Sequence, residues 1–242
     1  MAGSINTVFF DAAGTLFGVK GSVAAIYLAY AERYGFRRTE ASLDLIAAAF
    51  ARAFADAPPP IFVVTDQADI KQSERLWWFD VVHNVFYRVG IFERFDEFFD
   101  AVFAAFDGPD CWDLYPDTIP ALQQLKDQGY ELGIISNFDT RLFNVLRGLG
   151  LTEFFDTVTV SSLSRSVKPA PKIFAQALEK HAIDPEEAVH VGDSLKEDVE
   201  GATRSCLAAV WVNRDGRTIT GQANTVQTIK DLSELAAVLS RL

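Results

Sequence analysis

The sequence predicts a doubly wound (Rossmann-like) parallel α/β core with an all-helical cap domain inserted into it. Three observations carry this. A short apolar run, Val8-Phe9-Phe10, ends at Asp11 and reads as a buried strand. Residues 18–110 have a purely helical texture. From about residue 111 onward apolar strand-like runs alternate with amphipathic segments. Strands alternating with helices imply a parallel sheet with both faces covered. The first strand therefore belongs with the second half. The expected division is a core of 1–17 and 111–242 and a cap of 18–110.

In chain order, the first strand covers Thr7 to Phe10. "SVAAIYLAYAERYGF" and "ASLDLIAAAFARAFADA" have apolar residues at helical spacing, and Pro58-Pro59-Pro60 interrupts the pattern. "ADIKQSERLWWFDVVHNVFYRVGI" and "ERFDEFFDAVFAAF" resume it, and "DGPD" forms a turn. In this stretch Trp77, Trp78, Phe79, Phe86 and Tyr87 read as cap core, and the acidic positions from Asp96 to Asp107 as a solvated helix face. "TIPALQQLKDQG", "DTRLFNVLRGLG", "PKIFAQALEKHAI" and "LKEDVEGATRS" read as helices, and "TIKDLSELAAVLSRL" as a closing one. "YELGIISN", "FDTVTVSS", "EAVHVGDS" and "LAAVWVNR" read as the strands between them.

Composition narrows the function. The net charge is −11, with no Lys/Arg cluster to meet a phosphate backbone, which argues against nucleic acid. No apolar stretch approaches a membrane span. The start, Met1-Ala2-Gly3-Ser4, lacks the basic and apolar regions of a signal peptide. Two cysteines, Cys111 and Cys206, give no disulfide framework. A cytoplasmic protein with reduced thiols is expected. His83 and His181 have no ligand-spaced partners, so zinc is not expected, and His190 reads as packed inside a strand.

The chemistry sits at strand ends. Asp11 follows the first strand, Ser136 and Asn137 end "IISN", Lys168 follows the next strand in "SVKPAPKIF", and Asp193 and Asp198 follow "AVHVG". A parallel sheet brings such ends to one edge, where open α/β sheets bind ligands. The set suits phosphoryl transfer. Asp11 would be the nucleophile. Asp11 and Asp193 would hold Mg²⁺, and Ser136 and Lys168 would stabilise phosphate oxygens. Gly14 would permit a tight turn beside the nucleophile. Asn137 is a phosphate-binding candidate or a cap for the next helix.

"FFDAAGTLF", "IISN", "VKPAPKIF" and "HVGDSLKED" resemble, in order, the four motifs of the haloacid dehalogenase-like (HAD) hydrolase superfamily. The helical insert resembles that of the subfamily capped after the first motif. "ISNFDTRL" and "RLWWFDVV" look closest to the REG-2-like branch. The resemblance implies Asp11 as nucleophile and metal ligand, and a backbone carbonyl at Ala13 as metal ligand. It implies Gly14 and Thr15 as the turn by the phosphate, Ser136 and Lys168 as phosphate binders, and Asp193 as metal ligand. Asp198 would hold metal-bound water or Lys168. The implied function is a Mg²⁺-dependent phosphatase of a small phosphorylated metabolite, monomer or homodimer.

One position departs from the pattern. Family phosphatases carry an acid/base Asp where this chain has Ala13. Asp139 is the nearest candidate replacement, or a helix N-cap. One alternative is a catalytically impaired fold that binds a phosphometabolite or a protein. Others are dehalogenation, and a phosphonoacetaldehyde-hydrolase-like reaction, which would need a cap lysine. Lys71 and Lys20 are available, but neither lies in such a motif.

Overall fold

The computed structural model describes residues 5–218 and 226–242. Six strands form one parallel sheet: β1 (Thr7–Phe10), β4 (Glu131–Ser136), β5 (Thr157–Val160), β6 (Ala188–Gly192), β7 (Ala208–Val212) and β8 (Gln227–Ile229), in the order β5-β4-β1-β6-β7-β8. β1 is central, with Phe9 beside Gly133 of β4 and His190 of β6. The chain runs outward from β1 through β4 to β5, then returns to build the other side from β6. β1 therefore lies at the topological switch point, where a crevice opens at the carboxyl ends of the strands.

The sheet is covered by α5 (Thr118–Asp127), α6 (Leu142–Gly148), α7 (Ser161–Ser164), α8 (Pro171–His181), α9 (Gly201–Arg204) and α10 (Leu235–Leu239). All four residues of β1 and all five of β6 are buried, as strands covered on both faces require. Phe9, Ile135, Ile173, Phe174, Ala188 and Leu207 form one apolar cluster. Burying each large side chain contributes about 2 kcal/mol. Gly133 is required beside Phe9, because a Cβ there would stand 2.7 Å from the Phe9 ring.

The chain divides into two compact units, one of Met1–Gly18 with Leu114–Leu242 and one of Val19–Asp113. The boundaries differ slightly from the expected ones, because β2 (Phe17–Val19) and β3 (Trp112–Leu114) pair as a two-stranded ribbon through which the chain leaves and re-enters the sheet unit. The second unit consists of α1 (Val23–Arg33), α2 (Ser42–Asp56), α3 (Gln67–Val89) and α4 (Phe95–Ala105). Its core is aromatic. Phe86 and Phe98 meet at 4.9 Å, Tyr27 and Phe50 at 4.6 Å, and Phe79 and Phe99 at 5.0 Å between ring centroids. Three of the residues read as cap core lie outside it. Tyr87 is exposed, and Trp77 and Trp78 are half-buried against the exposed Phe54. The Trp77 Nε1–H donates to the Pro58 carbonyl, which the aromatic pattern alone does not reveal.

Three local readings are corrected. The closing segment is not one helix: Gln227–Ile229 extends the sheet as β8, and Asp231 then accepts from the Ser233 amide to begin a helical turn. β-branched Thr228 and Ile229 suit the strand better than a first helical turn. The strand read as "FDTVTVSS" ends at Val160, and Ser161–Ser164 turns helical. "LKEDVEGATRS" is divided, with Leu195–Glu200 wound as a π-helix ahead of α9. Among the described residues no helix is long and apolar enough to cross a membrane.

A brace ties the loop after β1 to the far side of the sheet. Arg214 donates to both carboxylate oxygens of Asp117 at 3.0 and 2.8 Å and to the Thr15 carbonyl at 2.8 Å. It also lies 3.8 Å over the Tyr115 ring. Burial would raise the Asp117 pKa, but the Arg214 hydrogen bonds and the Leu232 amide outweigh it and hold the carboxyl below its usual value. Its contribution to stability is therefore complete above the unfolded value of 3.8 and fades as pH falls through it. Arg214→Gln strands a largely buried carboxylate and is expected to destabilise by about 3 kcal/mol at neutral pH. Denaturant titrations at pH 7 and pH 3 should show the gap between variant and wild type shrinking at the lower pH.

Candidate active site

Asp11 directly follows β1, and its amide still donates to the Val191 carbonyl of β6 at 2.9 Å. The side chain is thus delivered to the sheet's carboxyl edge on a rigid strand end. Lys168 reaches it from the loop before α8. The lysine is almost fully buried, and its Nζ donates to Asp11 Oδ1 and Asp198 Oδ1, each at 2.6 Å. Burial would pull the Lys168 pKa down, but the two carboxylates overcome it and hold the ammonium charged.

Asp198 sits in the π-helical turn, a distortion that often marks functional sites. The Ser194 amide donates to its Oδ2 at 2.9 Å, and His190 Nε2 lies 2.9 Å from its Oδ1. Despite its burial, Lys168 and His190 hold the Asp198 carboxyl well below the usual range. Asp11 differs. Burial, with the neighbouring Asp198 and Asp193 charges, outweighs Lys168 and pushes its pKa up to about 7. Asp193 is also raised, by burial first and by Asp198 next. Arg217, half-exposed, donates to the Asp193 carbonyl at 2.8 Å, and Trp211 Nε1 does so at 2.9 Å.

One carboxylate oxygen from each of Asp11, Asp193 and Asp198 lies within 4.8 Å of the others. The donor set is all hard oxygen, the chemistry of Mg²⁺ or Ca²⁺ sites. Gly14 keeps the space clear: it has φ +97°, and a Cβ there would stand 2.6 Å from Asp193 Oδ1. The residues present therefore fit a divalent cation.

The remaining predicted residues fall around this centre. Ser136 ends β4, buried, and its Oγ accepts from the Phe138 amide at 3.3 Å, so the hydroxyl proton is left to donate elsewhere. Asn137 is occupied by the protein itself. Its Oδ1 accepts from the Lys168 amide at 2.6 Å, and its Nδ2 donates to the Lys168 carbonyl and to Glu197 Oε2, both at 3.1 Å. It clamps the lysine's backbone. Thr15 is fully buried with no hydrogen-bond partner for Oγ1 among the described residues. Ala13 forms an isolated bridge with Phe17 in the loop after β1.

Asp139 is not a free acid. Both it and Arg141 are buried, and Arg141 Nε and Nη2 donate to its carboxylate at 3.0 and 2.6 Å. It also accepts from the Arg141 amide in the turn before α6. His190 is packed as expected, edge-to-face with Phe174 at 5.3 Å between ring centroids, yet it also bonds Asp198. The sequence reading missed this bond and the Asn137 clamp. The eight-residue spacing from His190 to Asp198 has no recognisable pattern.

A buried carboxylate paired with a buried lysine, beside two further acids and a serine, stands at the switch point of a doubly wound α/β sheet, an arrangement suited to a hydrolase. The chain belongs to the haloacid dehalogenase-like hydrolases, whose family model matches residues 5–205. It is 29% identical over 238 residues to haloacid dehalogenase-like hydrolase domain-containing protein 3 of Danio rerio, covering 97% of this chain and 96% of that protein. A 101-residue stretch is 41% identical to the glyceraldehyde 3-phosphate phosphatase of Methanopyrus kandleri, covering 41% of this chain and 43% of that one. Among solved structures, the HAD phosphatase from Thermococcus onnurineus superposes with a TM-score of 0.67 at 28% identity, over 97% of this chain and 98% of its own. These findings concern the superfamily, and the REG-2-like resemblance rests on its two short segments alone.

Gly192 ends β6, directly before Asp193 and the π-turn that carries Asp198. A Cβ there would stand 2.2 Å from Asp198 Cγ. Gly192→Ala is expected to destabilise by about 2 kcal/mol through overpacking and to displace Asp198. Thermal denaturation and magnesium titration of the variant would test both effects.

Proposed function

We propose that the protein is a Mg²⁺-dependent phosphohydrolase acting on a small phosphorylated metabolite through an aspartyl-phosphate on Asp11. The observation that carries this is the convergence of Asp11, Asp193, Asp198 and Lys168 from three separate strand ends. The name of the Methanopyrus relative supports a phosphate monoester as substrate. The helical unit Val19–Asp113 serves in this reading as the substrate-selecting cap.

The Lys168 bond engages Asp11 Oδ1, which leaves Oδ2 to attack phosphorus. The new O–P bond forms as the ester P–O bond breaks, and the leaving group departs as its oxyanion, taking a proton from solvent water. Water then attacks phosphorus, giving its proton to solvent, and the Asp11–phosphate bond breaks to release phosphate and restore the carboxylate. Ser136 donates its hydroxyl proton to a phosphate oxygen, and Lys168 supplies fixed positive charge beside it. Magnesium held by Asp11, Asp193 and the Ala13 carbonyl, with Asp198 behind, would offset the repulsion between carboxylate and phosphate dianion and orient the group. At neutral pH this positive charge also favours the ionised, nucleophilic form of Asp11, whose pKa burial pushes up to about 7.

No side chain at position 13 can protonate the leaving oxygen or deprotonate water, and Asp139 is held by Arg141. General acid–base groups contribute roughly 10²–10⁴ in rate, so substrates with good leaving groups are favoured. The wild type is expected to hydrolyse 4-nitrophenyl phosphate in a magnesium-dependent manner, and Asp11→Asn to abolish this. Equal rates in the two proteins would favour a binding protein on the same scaffold. Ala13→Asp is expected to raise turnover of alkyl phosphates far more than of the aryl ester, measured as the ratio of kcat values. An unchanged ratio in a folded variant would mean that another step limits the enzyme.

A further inference from the structure

We infer that His190 is a positioning residue for the reaction, acting through Asp198 on Lys168. The inference rests on the hydrolytic reading of the site and deepens it. His190 lies in β6 between β1 and β7, fully buried, opposite Phe9 and Ala209. Its Nε2 is 2.9 Å from Asp198 Oδ1. An ionised carboxylate only accepts, so Nε2 carries the hydrogen. Nδ1 is buried with no hydrogen-bond partner among the described residues, so a second proton would have no acceptor. The ring is therefore held as the neutral Nε2–H tautomer, fixed against the Phe174 edge.

Asp198 is thereby held from three directions: His190 and Lys168 on Oδ1, and the Ser194 amide on Oδ2. The Gly192 backbone packs against the same carboxyl, leaving no room for a Cβ. An ammonium has three N–H donors. Two are spent on Asp11 and Asp198, and the direction of the third follows from where those two carboxylates lie. Fixing Asp198 thus fixes the donor that Lys168 presents to a phosphate oxygen. Without the imidazole, Asp198 loses one of its three donors. The ammonium then settles closer to Asp11, weakening the nucleophile and misdirecting the third donor. Residues that orient a site's ligands from behind commonly contribute 10- to 100-fold.

Two readouts test this separately. The chain has three histidines, so long-range ¹H–¹⁵N spectra can assign each tautomer. His190 is expected as the neutral Nε2–H form with a slowly exchanging proton whose resonance moves in Asp198→Asn. A charged ring or the Nδ1–H tautomer would overturn the inference. In kinetics with 4-nitrophenyl phosphate and magnesium, His190→Leu is expected to lower kcat roughly 10- to 100-fold with KM nearly unchanged. His190→Gln keeps a donor near the Nε2 position and is expected to recover most of the loss. Equal kcat losses in both variants at matched thermal midpoints would mean a purely structural role. If His190→Leu does not fold, the His190→Gln rate and the tautomer spectrum decide. If the wild type shows no hydrolysis above Asp11→Asn, the phosphatase reading fails, while the spectrum still decides how His190 is held.

Discussion

The Lys168 ammonium, shared between Asp11 and Asp198 at 2.6 Å each, is the interaction on which the rest of the site depends. One buried lysine against two buried carboxylates leaves a negative charge in excess, and Asp193 adds another nearby. Removing water from such a group is costly unless charge and hydrogen bonds are supplied in its place. Asp198 is fully supplied, by a lysine, an imidazole and an amide, and stays ionised. Among the described residues Asp11 has only the lysine as a donor to its carboxylate, and burial pushes its carboxyl up to about 7. The two aspartates share one lysine yet differ in what else is aimed at them. That difference separates a poised group from a fixed support.

Holding this arrangement takes much of the sheet unit. Asp11 stands on a central strand whose residues are all buried. The backbone of Lys168 is gripped on both sides by the amide of Asn137, which belongs to the end of a different strand. Arg214 and Arg217, three residues apart after β7, hold the carbonyls of Thr15 and Asp193. Asn213 closes that loop with two hydrogen bonds to the Arg217 backbone, at 2.8 and 2.9 Å. The loop after β1 and the acidic loop are thus pinned to one short segment, which keeps Asp11 and Asp193 in register.

What the sequence revealed follows from how local each signal is. Asp11, Ser136 and Asp193 each end an apolar run, Lys168 stands in the loop that follows another, and the topology of a parallel sheet brings such ends together whatever the details. The long helices carried their own periodicity. Three-residue strands do not, and β2, β3 and β8 were missed because their pairing is tertiary. The π-helical turn at Asp198 looks like an ordinary helix in composition. Asp139 is the instructive case: proximity to the site suggested an acid, but an arginine two residues on occupies it. His190 is the converse, an apparently packed side chain with one nitrogen aimed at the centre. Neither partnership has a spacing rule, since each depends on side-chain direction.

Ala13 then takes on a definite physical meaning. A site built only to bind a phosphorylated molecule has little reason to bury a carboxylate against a lysine and two further acids, because an anion is repelled by all three carboxylates. The arrangement is worthwhile when a cation offsets that repulsion and a carboxylate oxygen is needed as a nucleophile. The loss at position 13 leaves this part of the apparatus intact, since Ala13 sits in the loop after β1 by its backbone and not by a side chain. In the proposed reaction an Ala at this position removes proton transfer, which matters least when the leaving group is already stable as an anion. The proposed reaction thus joins an intact centre for attack on phosphorus to a weakened means of expelling poor leaving groups, and it ties the substrate's leaving group, rather than its phosphate, to the residue at position 13.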